Sequence, residues 1–203
     1  KAFYIAKQFL IGKVEGQNIL LNKYGLRTYP PSVTQIIKSF NEPNLVMLRR
    51  RLNHIEGKIS EQYFEQIFRL FPEKIRPTNR KGFKAYDGLN NTFNLAYTIL
   101  LWKCYRALVK AHLEPYLGFL HSIQPYRPSL VCDFVELYRH LVDDFLIEYC
   151  QKLKPRDFIA KTETFNKKKG KRIYLKKALT DDLTDKLHDY FRREVRIPRI
   201  KRG

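Results

Sequence analysis

The sequence predicts a mainly α-helical fold, a multi-helix core with one small β-hairpin, and three observations carry that expectation. Apolar residues recur at three- and four-residue spacing through most of the first 155 positions. Prolines fall between these periodic stretches. Alternation of the strand type appears only near 162–175.

Phe3, Ile5, Ala6, Phe9, Leu10 and Val14, continued by Ile19 to Leu21, predict a first helix ending near Gly25, and Tyr29-Pro30-Pro31 breaks it. The chain opens directly in this helical pattern at Lys1 with no capping residue, which predicts an upstream segment outside it. Ser32 is the expected N-cap of a second helical stretch. After Pro43 a long stripe runs Leu45, Leu48, Leu52, Ile55, Ile59, Tyr63, Ile67 and Phe71, stopping at Pro72. Residues 73–88, with Pro, Gly and spaced Lys and Arg, read as a basic loop that joins helices without packing on them. An apolar helix from about Leu89 to His112 follows, then the constrained stretch 114–121, then a helix from Ser129 as N-cap to about Leu153. That helix is expected to bury Leu130, Phe134, Leu137, Leu141 and Phe145. A hairpin over Thr162–Phe165 and Arg172–Leu175, a helix from Asp181 to Arg193 and a basic tail complete the chain. The organisation expected is a helical core over 1–155, with 156–203 packed on the same domain.

A length of 203 residues with 44% hydrophobic content can bury a real core, so the chain is globular. Its formal net charge of +19 points to a polyanionic partner, nucleic acid ahead of an anionic membrane. Residues 151–203 carry 18 Lys and Arg against 7 Asp and Glu, so the C-terminal part is the electrostatic footprint. Cys104, Cys132 and Cys150 are odd in number and lack CxxC spacing, which argues against a disulfide framework or a zinc knuckle. They read as reduced thiols, and the expected location is cytoplasmic. The longest apolar run, Leu95 to Leu101, is too short to span a bilayer.

Against this basic background a few acids stand out of place. Glu56 shares the apolar stripe of its helix, so it needs a partner: a Lys or Arg of a neighbouring helix, or a metal. Asp133 and Glu136 are three apart and lie on one helix face, a spacing that can hold Mg²⁺ or Mn²⁺ or simply decorate a surface. His121 ends the rigid 114–121 stretch, either as a ligand imidazole or as a structural cap of the next helix. His140, four residues past Glu136, offers a rival metal pair that leaves Glu56 and His121 unexplained. Arg139 is a candidate phosphate contact, with pairing to Asp143 as its competing role; Arg76, Arg80 and Lys84 of the basic loop are further candidates for backbone contacts.

Four stretches in order resemble the CRISPR-associated integrase family, the nuclease subunit that inserts spacers into the repeat array. They are Asn53-His54-Ile55-Glu56-Gly57 ahead of Tyr63-Phe64, the segment Asp87 to Tyr97, Leu117-Gly118-Phe119-Leu120-His121, and Ser129 to Arg139 with Asp143. Gly88 stands where the family usually has Pro, and Ala96 where it usually has Gly. The resemblance implies that Glu56, His121 and Glu136 bind Mn²⁺ or Mg²⁺, and that Asp133 supports the catalytic site or contacts the reacting groups. It also implies an N-terminal β-rich domain absent from this chain, a homodimer, protospacer and repeat DNA as substrates, and a small ferredoxin-like adaptation subunit as partner. Two rival readings stand beside it: a non-enzymatic basic helical nucleic-acid binder, and the transposase of a related mobile element.

Overall fold

The computed structural model describes residues 1–82, 85–165 and 168–192. Among the described residues six α-helices, α1 (Ala2–Lys23), α2 (Pro31–Ser39), α3 (Leu45–Ile67), α4 (Gly88–Lys110), α5 (Ser129–Tyr149) and α6 (Lys177–Tyr190), surround one apolar core. A two-stranded antiparallel hairpin, β1 (Phe158–Phe165) and β2 (Lys168–Leu175), pairs Phe158 with Leu175 and lies against α4.

Local chemistry sets the main helix starts. Asn44 caps α3 by accepting from the Met47 amide at 3.0 Å, and Asp87 caps α4 by accepting from Asn90 at 2.8 Å. The expected caps at Ser32 and Ser129 are corrected. Helix α2 starts two residues earlier, at Pro31 with Pro30 in the cap position, and the fixed φ of Pro31 suits the first helical position. Ser129 is the first residue of α5, and its hydroxyl donates backwards to Ser122 O at 2.8 Å. The hairpin begins four residues before the expected start, and α6 begins at Lys177.

Two packing features place the site. Helix α1 presses on α5 with Gly12 and Gly16 at the contact: a methyl on Gly12 would come within 2.6 Å of Leu137 Cδ2, and one on Gly16 would strike the His140 ring. Rings of Tyr63, Phe64, Phe68, Phe71, Phe93 and Tyr97 meet mostly edge to face, locking α3 to α4.

The buried face of α5 differs from the expected one. Leu130 is buried as expected, but Phe134, Leu137, Leu141 and Phe145 are only partly buried, whereas Asp133, Glu136 and Asp143 sit at 0%, 5% and 1% exposure. Helix α5 is covered on several sides, so three of its carboxylates lie inside. The basic 73–82 segment also does more than join helices, because Arg80 is held against α4.

Candidate functional site

Helices α1, α3 and α5 converge on a cluster of opposite charges. Lys13 of α1 is only 4% exposed, and its ammonium lies against Glu56 Oε1 of α3 and 2.6 Å from Glu136 Oε2 of α5. The other oxygen of Glu136 takes Arg139 at 3.0 Å, and Ser60 donates to Glu56 Oε1 at 2.7 Å. Glu56 is not core-buried: its side chain is 28% exposed at the wall of an open cleft of about 600 Å³. Ser60, Phe64, Arg80 and Arg139 line the same cleft.

Burial works to protonate Glu136, but Arg139 and Lys13, with a further pull from His121, outweigh it and hold the carboxyl at about 2. It is therefore an anion at any ordinary pH.

His121 is set up by Asp133. One oxygen of Asp133 accepts from the Phe119 and Leu120 amides at 2.6 and 3.0 Å, while the other accepts from the His121 amide at 2.8 Å and faces His121 Nδ1 at 2.7 Å. A carboxylate on Nδ1 fixes the ring orientation and leaves Nε2 as the nitrogen able to meet a ligand. From the other side Arg49 of α3 clamps the loop, donating to Gly118 O and Phe119 O at 2.6 and 2.7 Å. Gly118 is needed there, because a Cβ would sit 2.6 Å from that of Ser129. His121 is thus neither a helix cap nor adrift in a loop.

Among the described residues, no three His, Cys, Asp or Glu side chains gather closely enough to hold a metal ion as they stand. What the fold does bring together is Glu56 and Glu136 on one ammonium, a cation standing where two carboxylates meet. Asp133 spends its oxygens on the His121 loop instead of facing that cation. The rival pair with His140 is not formed: the imidazole packs over Gly16 with a buried Nδ1 that has no partner, and burial lowers its pKa.

The basic candidates divide. Arg139 pairs with Glu136, not Asp143, and lies 4.6 Å from the Tyr97 ring centre with its edge in the cleft. Arg80 reaches Asn90 and Asn94 at 3.1 and 2.7 Å under three aromatic rings, yet still lines the cleft. Arg76 spends its donors on Phe71 O and Arg69 O, fixing the chain after α3. Lys84 and the tail beyond residue 192 lie outside the described residues.

Lys13 carries the same signal in the sequence that singles out Glu56, yet it is not among the expected site residues. Lys13 stands three and four residues after Leu10 and Phe9, a charge in an apolar stripe. Asp143 has a use that the sequence did not indicate. That buried carboxylate accepts from the Tyr63 hydroxyl at 2.8 Å and from the Tyr97 hydroxyl, and burial, only partly offset by these hydroxyls and by Arg139, pushes it up to about 6.

Comparison with known proteins places this arrangement in context. Residues 1–187 match the family model described as CRISPR associated protein Cas1. The chain is 29% identical over 143 residues to CRISPR-associated endonuclease Cas1 3 of Thermus thermophilus, covering 70% of this chain and 42% of that protein. It is 32% identical over 183 residues to CRISPR-associated endonuclease Cas1 1 of Archaeoglobus fulgidus, covering 77% and 53%. The chain therefore spans about half the length of these relatives. In fold it is similar to a casposase bound to integration product, with a TM-score of 0.77 at 21% identity over 96% of this chain and 54% of that one.

Proposed function

This chain belongs to the CRISPR-associated Cas1 family, and from that membership we propose that it is a metal-dependent DNA endonuclease and integrase that inserts short spacers into a CRISPR repeat array. The observation that supports this most is the meeting of Glu56 and Glu136, from separate helices, on one cationic group beside an open cleft. Two carboxylates and an imidazole suit Mn²⁺ or Mg²⁺, and the nitrogen donor favours Mn²⁺. Glu56, Glu136 and Nε2 of His121 would hold the ion. Bound there, it would offset the charge that builds on phosphorus during transesterification by a 3′-hydroxyl.

The rest follows from the chain's own residues. Asp133 keeps the His121 ring turned so that Nε2 is the free nitrogen. Ser60 fixes one oxygen of Glu56. Arg139 presents its guanidinium in the cleft, where a phosphate oxygen can take the donors that Glu136 leaves unused. The net charge of +19 would track the DNA backbone without reading bases, giving affinity that falls steeply with salt. Protospacer and repeat DNA, a second copy of the chain and a small ferredoxin-like subunit are the partners this reading carries.

The test is strand transfer of a short duplex with a free 3′-hydroxyl in Mn²⁺, Mg²⁺ or chelator. Glu56→Ala and His121→Ala are expected to abolish joining and disintegration of branched DNA while sparing DNA binding. Wild-type rates from either variant in Mn²⁺ reject the assignment. The likeness in fold to the casposase favours one other reading, a transposase serving its own mobile element. An adjoining repeat array, or its absence, separates the two.

A further inference from the structure

The charge cluster contains a group that the proposed metal chemistry does not use. Lys13 is a long, cationic side chain buried to 4% exposure, and natural interiors hold such a group only when it is paired. Its partners are the two carboxylates of the proposed metal site and no others among the described residues. As it stands the centre is balanced, with Glu56 and Glu136 against Lys13 and Arg139.

Coordination cannot simply be added to this balance. Glu136 Oε2 is occupied by Lys13 at 2.6 Å and Oε1 by Arg139 at 3.0 Å, while Glu56 Oε1 is shared by Lys13 and Ser60. A divalent ion on both carboxylates would stand within a few ångströms of the ammonium, in a site where repulsion is poorly screened. Of the two carboxylates Arg139 pairs only with Glu136, so Lys13 is the cation that blocks both ligands at once. Gly12 and Gly16 show how it is put there: they let α1 close on α5 and press the intervening lysine onto Glu136.

Resting on the metal reading above, we propose that Lys13 is a built-in counter-cation, which competes with the divalent ion for Glu56 and Glu136 and leaves them when the ion binds. It keeps two facing carboxylates from repelling each other before loading and lowers apparent metal affinity in return. A competing state populated about ten to one weakens apparent binding about tenfold.

Calorimetric titration of Mn²⁺ into the wild-type protein and Lys13→Met tests this without any turnover. The expected result is Mn²⁺ binding about tenfold tighter in the variant, with its thermal unfolding midpoint lowered in chelator and recovered by Mn²⁺. In the wild-type protein, acylation of Lys13 followed by mass spectrometry is expected to speed up several-fold on adding Mn²⁺, because the ammonium is expelled from its pair; this measurement stands even if Lys13→Met does not fold. If the wild type binds Mn²⁺ but the variant binds no tighter, or Lys13 labelling is unchanged, the competition is overturned and the metal site stands. If the wild type binds no Mn²⁺, both fall together.

Discussion

Two buried carboxylates on helix α5, Glu136 and Asp143, sit two turns apart and have opposite electrostatic fates. Glu136 is wedged between an ammonium and a guanidinium, and its carboxyl is held at about 2. Asp143 is met by two tyrosine hydroxyls, and its carboxyl is pushed up to about 6. Burial acts in the same direction on both; the neighbours decide. Two charged partners in direct contact overcome desolvation, whereas two neutral donors, with Arg139 and Arg80 beyond ion-pair distance, only soften it. One position is thus a fixed anion suited to gripping a cation, and the other changes charge near neutrality while tying α5 to α3 and α4.

Neutralising each carboxylate sharpens that contrast, and the largest effect is expected at Glu136. Glu136→Gln leaves Arg139 without its anion and Lys13 with Glu56 alone, and urea denaturation in chelator near pH 7 is expected to show a loss of about 3–5 kcal/mol. The folded carboxyl lies below its ordinary value of 4.5, so its contribution is present above that pH and lost as pH falls towards 2. The gap between variant and wild type should accordingly narrow in acid. A gap that does not change between pH 7 and 3 would falsify the ionic account.

Next in size is Asp133→Ala, which removes the acceptor for three backbone amides and the His121 ring. A stability loss of about 3 kcal/mol is expected, with strand transfer lost as well, since the imidazole is no longer held. Retention of activity would mean that Arg49 and Gly118 position the loop on their own.

Gly12→Ala probes how tightly α1 must sit on α5. Overpacking at the Leu137 contact is expected to cost about 2 kcal/mol in equilibrium unfolding. An unchanged stability would show that the helices part freely, and that the Lys13 pair does not depend on their closeness.

Asp143→Asn should be the smallest change and the opposite in sign. The folded carboxyl lies above its ordinary value of 3.8, so its favourable contribution is full below that pH and lost as pH rises through 6. At pH 7.5 the neutral amide is expected to stabilise by about 1 kcal/mol, and at pH 4 to give no gain. A loss at pH 7.5 would place Asp143 with Glu136 as a needed anion.

Much of this could be read along the chain. The 3.6-residue stripes predicted helices that the structure contains, and Glu56 was noticeable because a charge interrupts such a stripe. The same criterion applied to α1 would have found Lys13, whose position after Phe9 and Leu10 is no less anomalous. Helix starts were harder: Ser32 and Ser129 carry the right side chain for a cap, but proline geometry and a competing carbonyl decided otherwise. Arg76, Arg80 and Arg139 were all candidates for phosphate contact, yet one holds a turn, one is pinned beneath aromatic rings and one faces an acid.

Periodicity and composition are local or summed properties, so the helical class, the strongly positive charge and the anomalous acids were determined by the sequence alone. Which groups share a charge was decided by tertiary structure, because Lys13, Glu56 and Glu136 lie on three helices far apart along the chain. Their pairing depends on how closely α1 settles on α5, and a balance of burial against neighbouring charge varies over a few ångströms, a distance that residue order does not encode.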